Sequence, residues 1–213
     1  VAGSVSMRRR PVADGAAYCW GYNGNGQLGD NSTTQSHVPV AVDTAGELLG
    51  RTVTDISTGG THSCAVADEA ASCWGDNDRG QLGTNDATPS TVPIAVNTSG
   101  VLAGKAVDTI SSLNNNSCAV ADGAAYCWSD NSNGQLGLLT PVAVDTVGVL
   151  AGKTMSSISA GSNHTCAVAD GAAYCWGKNE NGELGDGSDA QSWTPVAVDA
   201  SGVLAGKTVT SIS

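Results

Sequence analysis

Small and β-branched apolar residues occur in short runs along this chain, and Gly, Asn, Asp or Pro bounds these runs. The repeated segments show no apolar stripe at the 3.6-residue period of an amphipathic helix, whereas runs rich in Val, Ile and Thr between turn residues are typical of strands. Turn pairs such as Asp122-Gly123 join two runs directly, which favours tight hairpins. The pattern therefore predicts an all-β protein made of many short antiparallel strands.

One arrangement of these runs recurs four times. Its most regular part is the string CAVADGAAYCW, which occurs twice unchanged, once as CAVADEAASCW and once as RPVADGAAYCW. The cysteine before the Trp lies at positions 19, 73, 127 and 175, so successive copies are 54, 54 and 48 residues apart. A period of this kind indicates a repeat array. We place the repeats at residues 1–56, which is an atypical copy, 57–110, 111–158, which is a shortened copy, and 159–213.

Each repeat is expected to contribute four strands. The first ends at an Ile-Ser pair, the next two are the arms of the hairpin in the repeated string, and the fourth lies at Pro-Val-Ala-Val or a close variant. Because proline cannot donate a backbone hydrogen bond, the fourth strand is expected at a sheet edge. The array is therefore predicted as four consecutive four-stranded antiparallel sheets.

The hairpin places its two cysteines directly opposite each other. Counting outward from a two-residue turn at Asp122-Gly123 pairs Cys118 with Cys127. Alternate pairs in such a hairpin are not hydrogen-bonded, and the cysteines occupy one of these pairs, where the Cα atoms approach closely enough for a disulfide. The same count predicts disulfides between Cys64 and Cys73 and between Cys166 and Cys175.

Seven cysteines make three such pairs and leave one over. The remaining thiol is Cys19, because Arg10 occupies the position opposite it. Each bridge closes a loop of about ten residues and should stabilise the folded state by roughly 2.7 kcal/mol in the chain-entropy model. Three structural disulfides indicate an oxidising compartment, so we expect an extracellular or cell-surface protein.

The histidines near these cysteines allow a second interpretation, a zinc site. His62 with Cys64 and Cys73 would put three zinc-type ligands on one strand face, and His164 has the same spacing from its own cysteine pair. Asn116 replaces the histidine in the third copy although both cysteines remain, so the cysteine pair rather than the triad is the repeated unit. We therefore expect no metal and no cofactor, and we assign both histidines to structural hydrogen bonds with a neighbouring turn.

Charge and composition narrow the choice of partners. The formal net charge of −11 at pH 7 repels nucleic acid and anionic lipid, and the single basic run, Arg8-Arg9-Arg10, does not offset it. No apolar run is long enough to span a membrane, no leader typical of secretion is visible, and the opening residues resemble the middle of a repeat. We expect no nucleic-acid partner, no membrane insertion and a signal segment that lies outside this chain.

Taken together, these residues resemble a known family. The string His-Ser/Thr-Cys-Ala-Val-x-Asp-Gly, followed by Cys-Trp-Gly-x-Asn-x-x-Gly-Gln-Leu-Gly at a period of 48 to 54 residues, resembles the repeat of the regulator of chromosome condensation family. The four copies cover nearly the whole chain and are most like cysteine-bearing bacterial versions in secreted or surface proteins. The resemblance implies a β-propeller in which each repeat supplies one four-stranded blade and seven blades usually close the ring.

Four repeats fall short of such a ring. The chain starts and stops near the same point of the repeat, so we expect an arc of a seven-bladed type of ring within a longer array. A homodimer through the exposed terminal blades and a tightened ring of four blades are the alternatives. Several positions depart from the family pattern, and the first blade is expected to be the least ordered. The departures are Arg10-Pro11 in place of Cys-Ala, Glu69 in place of a turn glycine, Ser129 in place of the Gly after Trp, and the loss of six residues after Gly137.

No combination of residues indicates catalysis. The three histidines are scattered, and no nucleophile stands in a pattern with a base and an orienting group. Repeat scaffolds instead hold a rigid frame and recognise partners through the loops between strands. We therefore expect a non-catalytic, extracellular protein–protein interaction module that binds an unknown protein or neighbouring repeats of a longer chain.

The segments that differ most between copies are the candidate binding loops. They span residues 31–38, 85–92 and 187–194, and Trp193 is the only Trp outside the repeated Cys-Trp pair. An exposed aromatic side chain on a variable loop is a common hot spot, although packing under the outer strand is equally compatible with the sequence. The candidate contact residues are Ser32, Gln35, His37, Asp86, Thr88, Asp189, Gln191 and Trp193.

Three other functions fit the same scaffold. The family resemblance implies inhibition of an extracellular enzyme such as a β-lactamase, or guanine nucleotide exchange on a small GTPase. The expected disulfides argue against the cytosolic or nuclear setting of an exchange factor. A structural spacer within a large surface protein is the third alternative and is as compatible with the sequence as a binding module.

Overall fold

The computed structural model describes residues 12–129 and 139–213. These two ranges form fifteen strands and no helix, arranged as four antiparallel sheets that follow one another along the chain. The predicted all-β class is thereby confirmed. A search of the same ranges finds no helix with the length and apolar character needed to cross a membrane.

The strands group into sheets as follows. The first sheet contains β1 (Val12–Ala13), β2 (Ala16–Gly21) and β3 (Ser36–Ala41). The second contains β4 (Val53–Thr58), β5 (His62–Ala67), β6 (Ala70–Gly75) and β7 (Ser90–Ala95). The third contains β8 (Val107–Leu113), β9 (Asn116–Ala121), β10 (Ala124–Ser129) and β11 (Val142–Ala143). The fourth contains β12 (Met155–Ala160), β13 (His164–Ala169), β14 (Ala172–Gly177) and β15 (Ser192–Ala197).

Strands that are neighbours along the chain are also neighbours in each sheet. The three complete sheets run from the Ile-Ser strand through the hairpin to the proline strand at the edge, which is the predicted order. The arginine run at 8–10 and the substitutions at 10–11 lie outside the described residues. The second, third and fourth sheets begin at Val53, Val107 and Met155, four residues before the repeat boundaries placed at 57, 111 and 159. The repeat boundaries themselves stay a prediction.

The repeated string forms the central hairpin of each sheet in the predicted register. Cys118 lies opposite Cys127, and Asp122 and Gly123 have φ angles of 49° and 71°, the two positive values that a type I′ turn requires. At the position of this glycine the second hairpin has Glu69 with φ of 63°, a conformation that such a side chain rarely adopts.

The three predicted disulfides are present in these hairpins. They join Cys64 to Cys73, Cys118 to Cys127 and Cys166 to Cys175, with Cα separations of 4.0 to 4.1 Å. Cys19 is buried in the first sheet and is not part of a disulfide.

Side chains of the third strand of a sheet alternate between two faces, and each face packs into a different core. In β10, Tyr126 and Trp128 pack into the core shared with the second sheet, whereas Ala125 and Cys127 pack into the core shared with the fourth. Successive residues of a strand point to opposite faces, so one hairpin serves both neighbours. The cores therefore lie between the sheets, where small Ala and Val residues pack beside larger Trp, Tyr, Leu and Ile side chains.

One polar contact joins a sheet to the loop of the sheet before it. Nε1 of Trp74 donates a 3.0 Å hydrogen bond to the main-chain oxygen of Gln27, and Trp128 makes the same bond to Gln81. The indole also lies against the glycine two residues later, because a Cβ on Gly29 would stand 2.5 Å from Trp74 Nε1. Since Gly29 has φ of +71°, glycine is required there for conformation as well as for space. The Trp of the next sheet thus packs against the Gln-Leu-Gly motif and forms a hydrogen bond with it.

We predict that Gly29→Ala destabilises the protein by about 3 kcal/mol, because the methyl group adds a clash with the indole to the strain of a positive φ. The matched control is Gly104→Ala, where φ is +68° and no atom lies within 4 Å of the added Cβ. The control should cost about 1 kcal/mol, from strain alone. Urea unfolding measures both, and equal losses of stability would show that the indole contact does not require this glycine.

Candidate functional site

A buried asparagine organises the loop that follows the third strand of a sheet. Asn77 is fully buried, three residues after Trp74. Its Oδ1 accepts a 2.9 Å hydrogen bond from N of Leu82, and its Nδ2 donates to the main-chain oxygens of Asp86 and Thr88 at 3.0 and 3.1 Å. One side chain therefore fixes both the turn and the start of the variable segment.

The first and fourth sheets contain the same arrangement. Asn23 and Asn179 are fully buried, and their Oδ1 atoms accept hydrogen bonds of 2.8 Å from N of Leu28 and Leu184. None of these asparagines is among the functional residues expected from the sequence. The spacing Trp-x-x-Asn, which all four copies share, is the pattern that identifies them.

A hydrogen bond between a hydroxyl and a carboxylate closes these loops, and the two partners exchange places between repeats. In the first loop Oγ of Ser32 donates to Oδ1 of Asp30 at 2.8 Å, whereas in the second Oγ1 of Thr84 donates to Oδ1 of Asp86 at 2.8 Å. The main-chain N of Thr88 also donates to Asp86, and these bonds lower the pKa of its carboxyl group. The loops therefore keep one shape although their sequences differ.

The predicted contact residues divide into two groups. Ser32 and Asp86 take part in the hydrogen bonds that shape their own loops. Trp193 lies in β15 with 59% of its surface exposed, so it does not pack beneath the outer strand. The members with exposed side chains on the loops or at the start of the outer strand are Gln35, His37, Thr88, Asp189, Gln191 and Trp193.

A cavity of about 290 Å³ lies between the loops of the first and second sheets. Thr33 lines it from one loop, and Asp76, Asp78 and Pro89 line it from the other. Oδ1 of Asp76 accepts a 3.1 Å hydrogen bond from N of Asp78, so this carboxylate is held in the turn. Carboxylates at the rim of a cavity suit a cationic side chain of a partner.

The carboxylate of Glu183 takes the place that the Gln amide has in the other described loops. It accepts a 2.8 Å hydrogen bond from N of Asn181, as Oε1 of Gln27 accepts one of 3.0 Å from N of Asn25. The side chain of Asn181 donates a second bond at 3.1 Å. The bond from the main-chain N is the main cause that lowers the pKa of Glu183 to about 2.

The cysteine and histidine residues considered for zinc have other roles. The six cysteines are oxidised in pairs and offer no thiolate. Nε2 of the buried His62 lies 2.8 Å from Oγ of Ser117 in β9, so this histidine contacts a strand of the next sheet. Within residues 12–129 and 139–213, no cluster of three His, Cys, Asp or Glu residues could hold a metal ion.

Successive antiparallel sheets, three of which have four strands in the described residues, with their cores between them make this chain a β-propeller protein built from tandem blades. A family model described as Regulator of chromosome condensation (RCC1) repeat matches residues 14–66, 122–168 and 170–213, and a second model of that description matches residues 155–183. The chain belongs to the RCC1 repeat family.

Curated relatives share the repeat but are much longer. The chain is 32% identical over 127 residues to RCC1 domain-containing protein RUG3, mitochondrial, of Arabidopsis thaliana, which covers 59% of this chain and 27% of that protein. It is 32% identical over 128 residues to E3 ubiquitin-protein ligase HERC2 of Homo sapiens, which covers 59% of this chain and 3% of that protein. Whole-protein activities of these relatives therefore do not transfer directly.

Solved structures show the same fold. Human WBSCR16 aligns with a TM-score of 0.78 at 23% identity, covering 89% of this chain and 50% of that chain. Prp20p of Saccharomyces cerevisiae aligns with a TM-score of 0.70 at 21% identity, covering 88% of this chain and 47% of that chain. This chain thus spans about half the length of these two structures.

We predict that Asn77→Ala lowers the free energy of unfolding by about 3 kcal/mol, because it leaves the buried N of Leu82 and two loop carbonyls without their partner. The control is Asn25→Ala, since Asn25 contributes its main-chain N to the loop and that group is retained. The control should change stability by less than about 1 kcal/mol. Chemical unfolding measures the stability of both variants. Similar losses of stability would contradict the role given to the buried asparagine.

The lowered pKa of Glu183 predicts an acid transition confined to the fourth loop. A carboxyl group with a depressed folded pKa stabilises the fold above its ordinary value of 4.5, and this contribution is lost as pH falls towards about 2. The amide resonance of Asn181 should titrate in NMR with a midpoint near the pKa of about 2. The amide of Asn25, which faces a glutamine, should not follow this curve, and a midpoint near 4.5 at Asn181 would refute the assignment.

Proposed function

We propose that this chain is a non-catalytic protein-binding module that recognises its partner with the loops after the third strands. The observation that carries the proposal is the contrast within each of the three loops that the structure describes. A buried asparagine and a hydroxyl–carboxylate pair fix the backbone, while the side chains that differ between copies are exposed. Binding loops that are already ordered lose little conformational entropy when a partner binds.

The chemistry of these loops favours a protein partner. Trp193 offers a large exposed aromatic surface on the fourth sheet, and Trp is enriched among the residues that contribute most to protein interfaces. Asp76 and Asp78 border the cavity between the first two loops. The exposed indole suits apolar side chains of a partner, and the carboxylates at the separate cavity suit basic ones.

The extracellular setting is part of the same proposal. Three disulfides within hairpins are typical of proteins that fold in an oxidising compartment. RUG3 is described as mitochondrial, so the family is not restricted to one compartment. The cysteine pairs of this chain favour secretion or the cell surface.

One structural relative is known to bind other proteins. Prp20p has been studied for its binding properties to Gsp1p and histones, and yeast RCC1 (Prp20) has been solved bound to Kap60. Such binding supports a recognition role for the blades of this chain, without indicating the same partners. Inhibition of a β-lactamase and nucleotide exchange on a small GTPase are therefore outcomes to be tested.

A loop exchange tests the proposal. Residues 186–194 are replaced by the sequence of residues 84–92, which has the same length and brings Thr84 together with Asp86, so the hydroxyl–carboxylate bond that closes the loop is kept. The wild type and the variant are compared for capture of extracellular proteins. We expect the captured partner to be lost from the variant, and Trp193→Ala alone to weaken binding at least about tenfold.

The control for this experiment is Val147→Ala, an exposed apolar residue on a different loop, which should bind as the wild type does. Enzyme inhibition and nucleotide release are assayed with the same proteins. A partner that binds the exchange variant and Trp193→Ala with unchanged affinity would contradict recognition by this loop. Hydrolytic turnover by the purified chain would contradict a non-catalytic role.

A further inference from the structure

Four asparagines of the described residues stand in the pattern Asn-x-Ser/Thr, which is the acceptor pattern for N-linked oligosaccharides in secreted proteins. They are Asn31, Asn97, Asn115 and Asn163. The pattern is short and often occurs by chance, so the surroundings of each asparagine decide which of them is a good acceptor. A folded acceptor needs an exposed asparagine side chain and an exposed hydroxyl residue two positions later.

One of the four patterns meets both conditions. The hydroxyl residues of the last two patterns, Ser117 and Thr165, are fully buried. The side chain of Asn97 in the second pattern is half-buried. In the first pattern Asn31 and Thr33 are both exposed, so this pattern is the one that the fold presents to a modifying enzyme.

The hydrogen bonds of Asn31 leave its side-chain nitrogen available. Its main-chain N donates a 3.0 Å bond to the oxygen of Thr91 in β7, and its Oδ1 accepts a 3.4 Å bond from Oγ1 of the same threonine. Within residues 12–129 and 139–213, Nδ2 of Asn31 makes no hydrogen bond. The atom that would carry the sugar is therefore the polar atom of this side chain that the fold does not use.

The loop around this acceptor is held in one conformation. Asn31 has φ of 61°, in the left-handed region that asparagine adopts more readily than most residues. The next residue, Ser32, donates to Oδ1 of Asp30 from its main-chain N at 3.2 Å and from its Oγ at 2.8 Å. The middle residue of the pattern therefore holds the turn, while the asparagine and the threonine on either side of it point to solvent.

The second repeat contains the same turn without the acceptor pattern. Asn85 is exposed and has φ of 69°, and its main-chain N donates a 2.9 Å bond to the oxygen of Leu139 in the next repeat, as the N of Asn31 bonds the repeat after its own. Ala87 stands where the first repeat has Thr33, so this asparagine lacks its hydroxyl residue. The two loops share a backbone conformation and differ in the pattern, which provides a control within the chain.

We propose that Asn31 is an acceptor for N-linked glycosylation, an inference that rests on the extracellular setting proposed above. Nδ2 of Asn31 forms a bond to the anomeric carbon of an oligosaccharide that a lipid-linked sugar diphosphate donates. The bond from that carbon to the diphosphate breaks, the lipid diphosphate leaves with the electron pair, and Nδ2 loses one proton to a base of the transferase. The side chain remains a neutral amide, so the fold loses no hydrogen bond and gains no charge.

The attached oligosaccharide stands at the edge of the cavity between the first two loops. Thr33, which belongs to the pattern, and Thr91, which bonds the acceptor, both line this cavity. A bulky, solvated sugar at this edge limits access to the carboxylates of Asp76 and Asp78. Trp193 belongs to the fourth sheet, so glycosylation favours recognition of a partner through the fourth loop.

Secretion of the full chain from a eukaryotic cell, directed by an added signal segment, tests the acceptor. The intact mass should exceed the chain mass of 21.2 kDa by an oligosaccharide, and peptide N-glycosidase should remove this excess. The enzyme leaves an aspartate at each asparagine that carried a sugar, so peptide mapping should find this conversion at Asn31. Asn31→Asp, which keeps the oxygen that accepts from Thr91, and Thr33→Ala should each abolish the modification at this position.

The second loop supplies the matched controls. Asn85→Asp should leave the mass of the secreted chain unchanged, because this asparagine lacks the pattern. Ala87→Thr creates the pattern in the same backbone conformation, so the variant should gain a further oligosaccharide at Asn85. Near-UV circular dichroism and intact disulfides confirm that each variant is folded.

Two results would overturn the proposal. The first is a wild type whose Asn31 is unmodified, whether or not Ala87→Thr gains a sugar. The second is conversion by the glycosidase at other asparagines while Asn31 stays as it was. Capture of a partner is measured on the same secreted proteins with the exchange at residues 186–194, so a failure of the acceptor and a failure of the binding function are seen separately.

Discussion

The hydrogen bond from a Trp indole to the main-chain oxygen of a Gln in the preceding loop is the contact on which the array depends. The cores between the sheets consist of apolar side chains, whose packing is non-directional. The indole fixes the orientation of one sheet against the next, because its N–H bonds one oxygen and its ring lies against a glycine, where no larger residue would fit. The bond has the same length of 3.0 Å at Trp74 and Trp128, so neighbouring sheets are held in the same relation.

Two kinds of link therefore act over different distances. The disulfides stabilise single hairpins, and Cys118 and Cys127 lie within one sheet. The contacts of Trp128 and His62 cross from one sheet to the next. Because the covalent links are local and the links between sheets are not, the local fold of a blade and the order of the array rest on separate interactions. The exposed loops can then vary without disturbing either.

Identical repeats made the hairpins predictable from sequence, whereas contacts between repeats were not. The Asp122-Gly123 turn sets the register arithmetically, and the pairing of Cys118 with Cys127 follows from it. The bond of His62 to Ser117 depends on how two sheets are rotated against each other, which residue spacing does not reveal. The exposure of Trp193 likewise depends on packing around the outer strand. Loop order was missed for a related reason, since the shared Trp-x-x-Asn spacing marks the asparagine but does not reveal which main-chain carbonyls its side chain bonds.

The confinement of each disulfide to one hairpin also determines how the array bears mechanical force. Tension along the chain acts on the hydrogen bonds and apolar contacts between sheets and between outer strands, because no covalent bridge spans them. The residues between the paired cysteines cannot extend while the bridge is intact, so the hairpin at Cys166 and Cys175 survives as a closed unit. A stretched chain would therefore lengthen less per repeat than one without bridges, and each repeat would keep a formed hairpin from which to refold.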